Sequence, residues 1–454
     1  MNNRRVGGDH AASMYRHPLL AGLTKILSSL GAVHDPSPRR VRWTPLLAGI
    51  AAVLMALDTG CVAGTRLADA LACLGCVLRG RHRPPRTYNG LLKALCRQFL
   101  ACFPALKNDL RRQVCEVIST APCIGGWIIL AVDGSKEDLP RTRSNTRAFG
   151  VGDNGAVPQA FITSIVSVTT GLLWDWRVDK ARASEKMHLL EMLKDLPKAA
   201  LLLGDGNFVG WPIWSALCAQ GTDFLIRVGG NVDLLADLLE HRPASLRRAS
   251  QIVYLWPKKR RATEAPLKLR LIRVAAEGRR GPVFLLTNVH DTWRLSVRRA
   301  GMIYRQRWTI EVFYRTLKRT LGVAKLRSTS GRRARVELNW ALVALTVAGL
   351  LAVPAIVAHG ISACRYSPAG ALRILRNALM DRVIRAGQSR AIDMNWRLAH
   401  AVGDRYRRTS PKHARHRPYT KNTPRPLKPK PPILTKPTTK VLALARTRLN
   451  IPFP

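Results

Sequence analysis

Apolar and polar positions alternate with three different textures along the chain. From about Pro45 to Ile118 the apolar residues recur at helical spacing in three runs, "PLLAGIAAVLMAL", "RLADALACLGCVLRG" and "TYNGLLKALCRQFLACFPAL". Turns such as "RGRHRPPRT" separate them, and Thr87 stands where a side-chain oxygen would cap the third helix. From Gly126 the runs shorten and become strand-like. "WIILAVDGS" is continuous and ends in an acid, and "AFITSIVSVTTGLLWDWRV" reads as two strands joined by a Thr-Gly turn. "SEKMHLLEMLKDL" follows as a helix begun by Ser184, and "AALLLGDGNFVG" is one more strand ending in an acid. Three strands, a helix and a strand in that order predict an α/β core.

Between about Gly229 and Arg299 the segments "SQIVYLW", "LKLRLIRVAA" and "PVFLLTNV" alternate or run apolar between basic and Gly/Pro turns, which predicts an antiparallel β insertion. Met302 to Leu321 has the spacing of a single helix. Ala341 to Ala358, "ALVALTVAGLLAVPAIVA", is about long enough to span a bilayer. It is also rich in Ala, Thr and Gly and broken by Pro354, so a helix buried on all sides of an α/β core fits it equally, and no membrane partner is expected. "SPAGALRILRNALMDRVIRAGQ" reads as helical, and the last fifty residues are basic, Pro-rich and without periodicity, as an extended arm would be. The domain organisation expected is a helical N-terminal region over 1–125, a catalytic core over 126–228 and 300–360, a β insertion over 229–299, a helical segment over 361–403 and a basic tail over 404–454.

Charge narrows the function. Lys and Arg number 74 against 28 Asp and Glu, a net charge of +46, while 47% of the residues are hydrophobic. A chain with such a core and such a charge is a folded binder of a polyanion, and nucleic acid is the first candidate. The basic turn from Arg79 to Arg86 suits a helical DNA-binding module or a solvated connection, and "PKKRRATEAPLKLR" suits a phosphate backbone. The nine cysteines have no regular spacing, which points to a reducing cytoplasm. "CLGC" at Cys73 to Cys76 lacks a second ligand pair at finger-like distance, so a buried helix face explains it better than zinc. "MNNRRVGGDH" at the N-terminus has no apolar core behind its charges, which argues against a secretory signal.

The acids carry the chemistry. Asp133 and Asp205 each stand where an apolar strand gives out, each followed by glycine. Carboxylates at the ends of neighbouring strands can share a divalent cation, and their oxygens suit Mg²⁺. In "GMIYRQRWTIEVFYRTLKRTLG", steps of three, four and seven place Tyr304, Arg307, Glu311 and Lys318 on one stripe of the expected helix. Ile310, Phe313, Leu317 and Leu321 form the apolar stripe beside it. Glu311 would then be a third metal ligand, with Arg307 and Lys318 on DNA phosphates and Tyr304 positioning the strand.

"YRQRWTIEVFYRTLK" resembles the Tyr-x2-Arg-x3-Glu-x6-Lys motif of the cut-and-paste DDE transposases of bacterial insertion sequences, in the superfamily named for insertion sequence four. "LAVDGSKEDLPRT" and "LLLGDGNFVGWPIWSALCAQGTDFLIRV" are similar to the segments bearing that family's first and second Asp. The resemblance spans roughly Ile128 to Ala358. It implies a ribonuclease H-like catalytic core, a β insertion between the second Asp and the Glu, and two Mg²⁺ ions, for which Mn²⁺ substitutes. It assigns Asp133, Asp205 and Glu311 to the acidic triad, and Tyr304, Arg307 and Lys318 to the accompanying DNA-binding positions. It further implies a homodimer on double-stranded DNA, acting on terminal inverted repeats and target DNA in the cytoplasm, and a hairpin intermediate on the transposon end. One position departs from the pattern: Gly206 stands where the family often has Arg in Asp-Arg-Gly-Phe. The expected function is two-metal cleavage of the element's ends and their joining to a target. A structure-selective nuclease of the same fold and a non-catalytic DNA-binding descendant are the alternatives.

Overall fold

The computed structural model describes residues 18–32, 43–58, 63–75, 87–121, 123–152, 155, 157–238, 243–275, 281–322, 328–384, 394–403 and 430–449. The basic turn from Arg79 to Arg86, Cys76 and the tail residues 404–429 lie outside these. The chain is a mixed α/β protein that divides into two compact units. One spans Met1–Ile124, Ile128–Pro197 and Arg307–Val402, and the other Gly125–Trp127, Lys198–Gln306 and Gly403–Pro454.

In the first unit, β1 (Ile128–Asp138) pairs antiparallel with β2 (Gln159–Ser167), which pairs antiparallel with β3 (Leu173–Lys180). The β2–β3 turn is the one expected, and it needs Gly171, whose φ is +68°. β1 runs five residues beyond Asp133, which pairs opposite Ser164. The expectation that Asp133 ends its strand is therefore corrected. The apolar run stops at Val132, but the hydrogen-bonded partner strand continues, and pairing rather than hydropathy sets the strand's length. Alternation turns Asp133 to one face and Gly134 to the other. A Cβ on Gly134 would meet Glu185 Oε2 and the Phe161 ring at 2.6 Å, so a side chain here would have to displace both.

Helices cover the three strands. Pro45–Leu57, Ala63–Gly75 and Tyr88–Ser119 form as the spacing predicts. Thr87 caps the last of them by accepting from Gly90 N at 3.2 Å, and Ser184 caps Glu185–Leu193 by accepting from Met187 N. Asp175, on β3, is fully buried, and Lys107 and Arg111 of the helix Tyr88–Ser119 reach it at 2.5 and 2.9 Å. Arg177 adds a third cation at 3.3 Å. Burial alone would push the Asp175 carboxyl up, but Lys107, Arg177 and Arg111 hold it below its ordinary value. The next residue, Trp176, donates from Nε1 to Asn339 Oδ1 at 2.9 Å, which ties β3 to the helix Gly331–Ala358. That helix is the one apolar run long enough to cross a membrane among the described residues, and 78% of its apolar window is buried inside the structure. Pro354 lies within it without ending it.

In the second unit the strands lie in the order β10-β6-β7-β8-β9-β5-β4. β4 (Ala200–Gly204) is parallel to β5 (Asp223–Val228), with the helix Trp211–Ala219 between them in sequence. β6 (Asp233–Leu235), β7 (Ser250–Leu255), β8 (Leu267–Val274) and β9 (Val283–Thr287) are antiparallel in turn; the last three are the segments the sequence pattern predicts as strands, and β6 was not among them. β9 pairs antiparallel with β5, so the expected insertion continues the β4–β5 sheet. The basic tail departs from expectation over 430–449. There β10 (Ile433–Thr435) pairs parallel with β6, and a helix follows over Thr439–Arg448. A three-residue strand is too short to show a period. Its order comes from the edge of β6, through Ile433 N to Val232 O at 2.9 Å and Ala236 N to Thr435 O at 3.0 Å.

Candidate functional site

Asp133, Arg307 and Glu311 meet in the first unit. Arg307 donates from Nη2 to Glu311 Oε1 at 2.7 Å, one helical turn along, and its Nη1 lies 3.7 Å from Asp133 Oδ2. All three side chains are half-buried, so the charges interact with less screening than on an open surface. Asp133 Oδ1 also accepts from Gly134 N at 2.8 Å. Two carboxylates far apart in sequence thus face a single guanidinium.

The apolar stripe seats this arrangement. Ile310, Phe313, Leu317 and Leu321 are all buried, as the spacing predicts. Tyr314, named in neither stripe although its spacing puts it in line with Arg307, Glu311 and Lys318, proves equally important. Its hydroxyl reaches Asp133 O at 2.9 Å and Ile162 O at 3.0 Å, sharing one proton between carbonyls of adjacent strands. Burial pushes this phenol well above its ordinary value and keeps it a donor. Tyr314 stands three residues after Glu311 and was not singled out from the sequence, although its helical spacing from Glu311 was present there.

The single helix expected over Met302 to Leu321 is replaced by three pieces. Val297–Arg305 is α-helical, Trp308–Arg315 is a second α-helix, and Thr316–Thr320 is a π turn closed by Leu321 N donating to Thr316 O at 2.9 Å. The break at Gln306 and Arg307 coincides with the boundary between the two units. No Pro, Gly or cap residue marks it, so periodicity runs through unchanged while tertiary contacts divide the helix. The four-residue stripe is consequently split. Arg307, Glu311 and Lys318 belong to the first unit and Tyr304 to the second.

Lys318 sits on the π turn. Its ammonium lies 3.0 Å from Glu137 Oε1 and donates to Lys136 O at 2.8 Å. Glu137 was not singled out from the sequence, although period-two alternation puts it on the face of Asp133, four residues on.

In the second unit Asp205 follows β4 and caps the 3-10 turn Gly206–Phe208, accepting from Asn207 N at 2.9 Å. Tyr304 donates to Gly204 O, one residue earlier, at 3.3 Å. A Cβ on Gly206 would meet nothing nearer than Arg227 O at 3.9 Å, so space does not exclude the arginine that the family often has there.

Among the described residues no three His, Cys, Asp or Glu side chains are grouped closely enough to hold a metal ion. The donor chemistry of Asp133 and Glu311 nevertheless suits a hard divalent cation, and the guanidinium between them shows that the pair accommodates positive charge. Cys73 is buried on its helix, and the described cysteines are free thiols.

Residues 128–347 match the transposase DDE domain. Over 221 residues the chain is 25% identical to the transposase InsG for insertion sequence element IS4 of Escherichia coli strain K12, a match covering 47% of this chain and 49% of that protein. The chain thus spans about half the length of this curated relative. Among solved structures it is similar to the piggyBac transposase seen by cryo-EM in a synaptic complex with hairpin DNA, at 12% identity and a TM-score of 0.40 over 91% of this chain and 90% of that one. The likeness to the transposase DDE domain thus lies in residues 128–347, a little under half of the chain.

Proposed function

We propose that the chain is a DNA transposase with a ribonuclease H-like core, cleaving the ends of an insertion sequence and joining them to target DNA. The observation that carries this is the convergence of Asp133 and Glu311 on Arg307 within a segment that matches the transposase DDE domain. Asp133, Glu311 and, by motif, Asp205 would hold the metal, two Mg²⁺ ions or Mn²⁺ in their place. When bound, such cations supply Lewis-acid charge for in-line displacement at phosphorus.

The chain's own residues do the rest. Tyr314 and the apolar stripe hold Glu311 against the strand that carries Asp133, so neither carboxylate has to be found by diffusion. Arg307 balances their charge and, with Lys318, offers N–H donors to the scissile phosphate. Tyr304 fixes the main chain immediately before Asp205. A net charge of +46 supports the binding of DNA. The terminal repeats and target as the DNA bound, and a homodimer bridging two ends in the cytoplasm, rest on the resemblance of the motifs alone.

The test is incubation of purified protein with DNA carrying the sequences that flank its gene. Nicking at the element ends with Mg²⁺ or Mn²⁺, silence in EDTA and joining to a second duplex are expected. Full cleavage in EDTA overturns the metal assignment, and cutting without joining makes the protein a nuclease.

A further inference from the structure

β1 carries its second inward acid at Glu137, 3% exposed in a chain with few acids to spare. Burial pushes its carboxyl above the ordinary value, against the pull of Lys318. A buried carboxylate is retained only with a partner, and that partner is the Lys318 ammonium at 3.0 Å. The same ammonium donates to Lys136 O at 2.8 Å. The contact with Lys136 O is a hydrogen bond and the contact with Glu137 Oε1 an ion pair without one, and the side chain stays 34% exposed, so of the ammonium's three N–H donors not all are engaged. The π turn Thr316–Thr320 sets where Lys318 leaves the helix, and such turns recur at functional positions.

We propose that Glu137 is a positioning residue that anchors the Lys318 ammonium beside the Asp133 strand and leaves an N–H for a DNA phosphate oxygen. The proposal rests on the assignment of Lys318 to DNA in the reading above. A free lysine loses much rotamer entropy when it grips a phosphate, and anchoring it beforehand removes part of that cost from binding. Lys136 O supplies the direction and Glu137 the charge.

The test is a salt titration of duplex DNA binding by the full chain, followed by fluorescence anisotropy. Lys318→Ala is expected to lower the log–log salt slope by about one. Glu137→Gln, which keeps the volume and removes the charge, is expected to weaken binding several-fold and lower the slope by a similar amount. Glu137→Gln added to Lys318→Ala should change nothing further. Unaltered binding by Glu137→Gln, or a double variant that loses the sum of both effects, overturns the proposal, because a purely structural Glu137 would act whether or not Lys318 is present. Should Glu137→Gln not fold, Glu137→Asp keeps the charge, shortens the reach and should weaken binding in the same titration; unchanged binding again overturns it. None of these measurements needs cleavage. Wild type that shows the Lys318-dependent slope but never nicks DNA removes the transposase reading and leaves the anchor standing, whereas a slope indifferent to Lys318→Ala removes the anchor.

Discussion

The Tyr314 hydroxyl donates to the main-chain carbonyl of Asp133 across 2.9 Å, tying the helix that carries Glu311 to the strand that carries Asp133. Tyr314→Phe removes that donor and leaves two buried carbonyls, Asp133 O and Ile162 O, without it. A loss of about 1–3 kcal/mol in unfolding free energy is expected. Denaturant titration measures it, and cleavage should fall further than DNA binding, because the distance between the two carboxylates then fluctuates.

Glu311→Gln and Asp133→Asn each remove one charge facing Arg307 and leave the shape of the site unchanged. Binding to element ends should persist while the cleavage rate falls by orders of magnitude, and Asp205→Asn should behave alike. Binding lost in parallel with cleavage would show that these acids are structural.

Lys318 and the exposed Arg319 are neighbours in sequence, and Lys318 is the one paired with Glu137. Both alanine variants remove one positive charge. Lys318→Ala should reduce end cleavage by at least tenfold, while Arg319→Ala should stay within about twofold of wild type. Equal behaviour in a single-turnover cleavage assay would reduce the helix face to a solvated one.

Asp175→Asn strands Lys107 and Arg111 beside an uncharged amide. Removing one member of a buried pair costs on the order of 3–5 kcal/mol. The folded pKa of Asp175 lies below its unfolded value, so its contribution is complete above about pH 5 and is lost as pH falls through the folded pKa. The stability gap between wild type and the variant, measured by urea titration at a series of pH values, should narrow as pH falls into the acid range.

Much of the fold was legible along the chain. Thr87 and Ser184 cap where their positions say they should, the Thr-Gly turn joins β2 to β3, and the alternating segments after Gly229 are antiparallel strands. Each depends on neighbours within a few residues, which a sequence displays directly. The motif spacing of Tyr304, Arg307, Glu311 and Lys318 was legible for the same reason, and it pointed to the family that residues 128–347 match.

By itself, then, the sequence determined the element types, their caps, the apolar stripe under Glu311 and the polyanion-seeking charge, all of them local or additive properties. Tertiary structure alone decided that β1 continues past Asp133, that the helix breaks at Arg307, that residues 433–435 become a strand, and that Glu137 meets Lys318. Strand length follows the partner strand, an edge strand follows the edge it joins, and a buried ion pair joins residues 181 positions apart along the chain. Periodicity describes how one element faces a core. The partners that complete the hydrogen bonds and charges of that element come from elsewhere in the chain, and only the folded arrangement selects them.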